Sequence, residues 1–148
     1  MTSICRHAIV KHAAAEMYQL VADIELYPEF LTWCASTHIL NRSDEQVEAR
    51  IDIAYKGINK SFTTRNYLQK GKSMEMRLVS GPFKNLQGFW RFKALDDTAC
   101  KVSLDLEFEF SNKLVAITMG KVFNEIAASL VDSFCRRADQ IYNHEHSE

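Results

Sequence analysis

The sequence predicts an α+β domain, a curved antiparallel sheet of about six to seven strands around one long C-terminal helix, with two short helices after the first strand. Three observations predict it. Apolar and polar residues alternate in segments between residues 47 and 110, the period becomes helical from 111 to 142, and a short helical stretch follows an N-terminal strand.

Residues 3–10 read as the first strand and 13–22 as a helix whose Met17, Leu20 and Val21 share a face. A second short helical stretch follows Asp23 and is expected to break near Tyr27-Pro28, because the residue before proline avoids the α region. Val47, Ala49, Ile51, Ile53 and Tyr55 then alternate with polar neighbours, as in a half-buried strand. In residues 58–68 the apolar face of Ile58, Phe62 and Leu68 also carries Lys60, Thr64 and Asn66; in 73–79 the face is Met74, Met76 and Leu78. Leu86, Gly88, Trp90, Phe92 and Ala94 form the next face. Cys100, Val102, Leu104, Leu106, Phe108 and Phe110 form the last and cleanest. Breaks at Gly57, Lys70-Gly71, Gly81-Pro82 and Asp96-Asp97 make a meander the simplest topology. Ser111 or Asn112 is positioned to cap the final helix. That helix carries Met119, Phe123, Ile126, Leu130, Phe134 and Ile141 on a stripe widened by Val122, Ala127, Val131 and Cys135, as a helix held by a curved sheet requires.

Composition narrows the function. The 148 residues are 47% hydrophobic and 25% charged, with two prolines and no low-complexity run, so residues 1–148 are expected to form a single domain. A net charge of −1 lacks the basic excess of a DNA-binding domain. Cys5, Cys34, Cys100 and Cys135 have no metal-ligand spacing and read as buried thiols of a reducing compartment. No export signal and no run of about 18 apolar residues is visible. A cytoplasmic protein is expected, with a peripheral place at the inner face of the cytoplasmic membrane as the variant.

Several motif matches fail. Gly71-Lys72-Ser73 ends like a phosphate-binding loop, but Asn66 stands where its first glycine belongs. His144-Glu145-His146 opens like a zinc-protease motif, yet Glu148 occupies the second histidine position, so a frayed polar tail is expected. Asn41-Arg42-Ser43 and Asn59-Lys60-Ser61 match the glycosylation pattern, without consequence in a cytosolic chain. Cys34 and His38, four residues apart along a strand, stand about 13 Å apart, too far for a nucleophile and base. The acidic residues Glu16, Asp23, Glu25 and Glu29 read as a solvated face. No catalytic residue, metal ligand or covalent cofactor is therefore assigned.

What remains is a surplus of large apolar side chains on the inner face. Tyr55, Phe62, Met76, Leu78, Trp90, Phe92, Leu106 and Phe108 oppose Phe123, Ile126, Leu130 and Phe134. The two readings are a close-packed core and a lined cavity. Gly88 leaves space beside Trp90, and Lys60, Thr64 and Asn66 add polar groups to an apolar wall.

Asp23-Ile24-Glu25-Leu26-Tyr27-Pro28-Glu29-Phe30-Leu31-Thr32-Trp33-Cys34, then Gly81-Pro82-Phe83 followed by Leu86-x-Gly88-x-Trp90-x-Phe92, and a last helix with Val122-Phe123 and Phe134-Cys135-Arg136-Arg137-Ala138, together resemble the coenzyme Q-binding family. That family belongs to the START-like, polyketide cyclase/dehydrase superfamily, and its bacterial members are called ribosome association toxins. One departure is Thr32, where the family often has a second proline.

The resemblance implies the START-like helix-grip fold and a hydrophobic tunnel for a polyisoprenoid quinone such as ubiquinone, or a related lipid. The chain is then expected to be a quinone carrier or chaperone supporting respiratory electron transport. Its pocket wall would be formed by Tyr55, Phe62, Thr64, Met76, Leu78, Trp90, Phe92, Leu106, Phe108, Phe123, Ile126, Leu130 and Phe134. Its rim would be Phe30, Leu31, Trp33, Pro82 and Phe83, able to touch a membrane surface during loading. The alternative is a ribosome association toxin that binds the large ribosomal subunit and blocks subunit joining. Its candidate contacts are Arg42, Arg50, Lys56, Arg65, Lys70, Lys72, Arg91 and Lys93. A cyclase-type enzyme ranks below both, with Lys60 and Tyr55 as its sole acid/base candidates.

Overall fold

The computed structural model describes residues 1–146, and the side chains through Tyr142; the histidine-rich tail motif at 144–146 lies outside the described side chains. Seven antiparallel strands form one sheet in the order β1-β7-β6-β5-β4-β3-β2. They are β1 (Thr2–Val10), β2 (Cys34–Arg42), β3 (Gln46–Tyr55), β4 (Ile58–Gln69), β5 (Ser73–Ser80), β6 (Phe83–Asp96) and β7 (Ala99–Phe110). From β2 onward the chain is the expected meander, and β1 closes it by pairing with β7, Ile4 opposite Leu106.

Between β1 and β2 lie helix α1 (Ala14–Ala22) and a 3-10 helix (Ile24–Glu29). Glu16 Oε1 accepts a hydrogen bond from the Ala13 N–H at 2.9 Å, tying down the start of α1. The expected break at Tyr27-Pro28 does not occur, and Pro28 sits inside the 3-10 helix. The helix closes around the proline instead of through it: Leu26 N donates to Asp23 O, while Phe30 N and Leu31 N both donate to Tyr27 O. The lost proline donor is never needed.

Strand β2 carries almost no alternation because register shifts fall between Cys34 and Ser36 and between Ile39 and Asn41. The β3–β4 hairpin turns on Lys56 and Gly57, both with positive φ (48° and 85°), the two-residue geometry that matches strand twist. Gly81 is required by a close approach. At φ 145° a side chain there would place Cβ 2.6 Å from Phe62 Cβ.

The long helix α2 (Lys113–His146) is capped by Asn112, whose Oδ1 accepts from Val115 N at 2.9 Å. Its buried face, including Met119, Phe123, Ile126, Ala127, Val131, Phe134 and Ala138, lies in the sheet's concavity. Two aromatic clusters fill the grip. Phe62, Phe83, Phe108 and Phe110 surround Phe123 at centroid distances of 4.8–6.4 Å. Trp90 and Tyr27 meet Phe134 edge-on at 5.3 and 5.4 Å.

Candidate functional site

Between the two aromatic clusters lies an apolar cavity of about 60 Å³. Its walls are Tyr27, Trp33, Ile51, Phe62, Thr64, Met76, Leu86, Trp90, Leu106, Phe123, Ile126, Ala127, Leu130 and Phe134. Small-molecule sites usually offer roughly 300–1,000 Å³, so this cavity is far smaller than such a site. Met76 is what fills it. Its terminal methyl occupies the space left by Gly88, where sequence reasoning expected a gap.

Two of the polar groups on this wall are satisfied internally. Thr64 Oγ1 donates to Asn66 Oδ1 at 2.9 Å, and the Tyr27 hydroxyl donates to the Val21 carbonyl. Burial pushes the Tyr27 phenol far above its ordinary range. Lys60, expected on the inner face, is exposed, because a lone ammonium against an apolar wall would lose its hydration without a partner. Tyr55 lies outside the cavity, so the proposed acid/base pair is not assembled there.

A groove of about 350 Å³ lies beside the cavity, between the Phe30–Trp33 segment with Tyr55 and a polar stripe of α2. The stripe consists of Glu125, Ser129, Ser133, Arg136, Arg137 and Gln140, with Ile126 among them. Trp33 and Ile126 line both spaces and form the partition between them. Two of its lining residues are ion-paired: Lys56 Nζ donates to Glu125 at 2.9 Å, and Arg137 Nη2 to Glu29 Oε1 at 3.4 Å, its guanidinium 5.2 Å from the Phe30 ring centroid.

The sequence-derived wall residues divide accordingly. Phe62, Thr64, Met76, Trp90, Leu106, Phe123, Ile126, Leu130 and Phe134 meet around the cavity, whereas Tyr55 lines the groove and Leu78 is half-buried elsewhere. Phe92 packs instead between Trp90 and Tyr18, at 6.1 and 5.9 Å, and Phe108 belongs to the Phe123 cluster. Of the rim, Phe30, Leu31 and Trp33 border the groove, but Leu31 and Trp33 are buried and present no aromatic edge to a membrane. Phe83 is buried against Phe110 and Phe123 at the other aromatic cluster, with Pro82 before it. Sequence reasoning missed Tyr27, Ile51, Leu86 and Ala127, and named none of α2's polar stripe as lining a site.

The basic residues also sort themselves. Arg42, Arg50, Lys56, Arg65 and Arg91 pair with Glu25, Asp52, Glu125, Glu48 and Asp105. Lys70, Lys72 and Lys93 make no ion pair among the described residues. Lys93 stands directly opposite Lys101 on β7, and Phe92 N donates to the Lys72 carbonyl, so these amines share one corner of the sheet. Asp52, by contrast, is saturated. Burial alone would raise its carboxyl, but hydrogen bonds from Ser36, Ser61 and Arg50 outweigh that and hold it at about 2.

The thiols are mostly inert. Burial pushes Cys34, Cys100 and Cys135 up to about 11, while Cys5 is exposed, contrary to expectation, because it sits on the outward face of β1. Among the described residues no cluster of metal-binding side chains occurs. Helix α2 is long and apolar enough to cross a bilayer by length and composition, with mean hydropathy 1.5, yet its buried face packs into the sheet. Among its described residues the exposed large apolar side chains are Leu114 and Ile117.

Residues 10–135 match the family model described as polyketide cyclase / dehydrase and lipid transport. The chain belongs to that family. Within it, the chain is 46% identical to a ribosome association toxin RatA of Vibrio cholerae, over 96% of this chain and 99% of that protein. It is 45% identical to the RatA of Escherichia coli K12, over 97% and 90%. A mitochondrial coenzyme Q-binding protein COQ10 of Dictyostelium discoideum is 24% identical over 93% and 69%. Among solved structures of this START-like fold, an aromatase/cyclase from Streptomyces superposes with a TM-score of 0.83 at 15% identity, covering 94% of each chain. An 18 kDa protein of Caulobacter crescentus superposes at 0.75 with 27% identity, covering 97% and 99%. Proteins named as enzymes and proteins named for binding thus share this fold.

Proposed function

We propose that the protein is a ribosome association toxin of the RatA type whose cavity and groove bind an isoprenoid quinone or a similar lipid. The single observation carrying the first half is near-full-length identity of 46% to a protein of that name. This reverses the order of the sequence reading, which placed the quinone carrier first. The unpaired amines of Lys70, Lys72 and Lys93, beside Lys101, supply a surface that an RNA phosphate backbone would meet. A ribosomal partner places the protein in the bacterial cytoplasm. Sedimentation of cell extracts at low salt tests this half. The protein travels with the large subunit and is released as salt rises; a protein that stays at the top of the gradient at low salt refutes it.

The second half rests on the partition formed by Trp33 and Ile126. An amphipathic groove backed by an apolar cavity suits a ligand with a polar head and an apolar tail. Each CH₂ removed from water contributes about 0.8 kcal/mol, so even part of an isoprenoid tail supplies useful affinity. The COQ10 likeness favours a quinone head. For the tail to enter, the Met76 tip must leave its position, and methionine is a flexible side chain. Organic extraction of protein purified without detergent from a quinone-producing host, followed by mass spectrometry, recovers quinone at a stoichiometric level; a clean extract from well-folded protein contradicts this half.

A further inference from the structure

Three buried side-chain donor or acceptor atoms have no partner among the described residues, and two of them, Trp33 Nε1 and Arg137 Nε, belong to side chains that line the same groove. An indole N–H and a guanidinium N–H can only donate. Leaving such a donor buried and unpaired is costly, so each is suited to receive an acceptor from a ligand. We infer that Trp33 and Arg137 are the donors that fix the lipid's head, and that they select a neutral head bearing carbonyl oxygens. The inference rests on the lipid-binding half of the proposed function.

Two features of the groove narrow the ligand class. Its charges are already neutralised: Lys56 pairs with Glu125, Arg136 with Asp132, and Arg137 with Glu29. An anionic head would have to displace one of these carboxylates, whereas a carbonyl oxygen needs only the free N–H groups. Trp33 also lies on the partition, so an oxygen held at its indole leaves the ligand's tail beside Ile126 and directed toward the cavity. Arg137 is itself held by Glu29 and the Phe30 ring, which fixes the guanidinium that carries this Nε.

The test compares three ligands with the same ten-carbon tail: a dimethoxy-methyl-benzoquinone, plain decylbenzene and decylphosphate. Affinities are read by displacement of a fluorescent apolar probe. The wild type binds the quinone most tightly. Trp33→Phe, which keeps the apolar partition and removes the donor, loses about tenfold for the quinone and nothing for decylbenzene, as does Arg137→Lys, which keeps the charge facing Glu29. Equal losses on quinone and decylbenzene, no loss on either, or a preference for decylphosphate would overturn the inference while leaving lipid binding intact. Failure of the wild type to bind any of the three would instead remove the lipid reading itself.

Discussion

Met76 occupies the space that Gly88 leaves open: a Cβ at position 88 would lie 2.5 Å from the Met76 terminal methyl and 3.1 Å from a Leu106 methyl. The glycine is therefore what allows a flexible thioether to plug the cavity. Gly88→Ala displaces the Met76 tip, which is cheap for so flexible a chain, and unfolding should be affected by about 1 kcal/mol or less. Lipid affinity should fall several-fold, because the methyl, excluded from the space beside Gly88, is pushed into the cavity that the tail would occupy. Titration of wild type and variant with the ten-carbon benzoquinone, alongside urea unfolding, checks both numbers.

Leu106 is buried on the cavity wall, so Leu106→Arg abolishes lipid binding by placing a charge there. Leu106→Phe, which fills the same space without charge, weakens binding while leaving the circular dichroism spectrum unchanged. Normal binding by a folded Leu106→Arg protein would mean that the cavity is not the lipid site.

How far the sequence discloses this arrangement differs by element. In β7 every second residue from Cys100 to Phe108 is buried, so its alternation alone shows which face is inward. In β2 two register shifts break the alternation, and no window of the sequence shows a continuous face. Most of the cavity wall was legible because inward position follows from parity along a strand. The groove was not. Arg136 and Arg137 look like solvated helix residues until the Phe30–Trp33 segment is placed across from them, and that placement depends on the 3-10 helix around Pro28. The filling of the Gly88 gap was equally hidden, since parity gives direction but no volume.

Asp52 makes stability depend on acid. Its folded carboxyl sits at about 2, below its unfolded value near 3.9, so the contribution is complete above about pH 5 and is lost as pH falls toward 2. After allowance for solvent the effect is about 1–2 kcal/mol. Asp52→Asn should remove this component of the pH dependence. Urea midpoints at pH 7 and pH 3 for both proteins measure it, and parallel acid losses in the two would show that Asp52 contributes nothing.

The thiols report on the packing. Under native conditions a maleimide should label Cys5 first, because Cys34 and Cys100 are buried and raised to about 11. Peptide mapping after a short exposure, with and without urea, separates them. Fast native labelling of Cys100 would contradict the closed sheet between β1 and β6.

The ribosomal assignment is tested most directly by mixing purified small and large ribosomal subunits with the protein and resolving the products on a gradient at low salt. The wild type should travel with the large subunit and reduce the joined particle. Lys93→Glu with Lys101→Glu, which reverses an outward-facing pair whose like charges already oppose each other across β6 and β7, should weaken both effects without unfolding the sheet. A wild-type protein that leaves subunit joining untouched and remains at the top of the gradient would contradict the account.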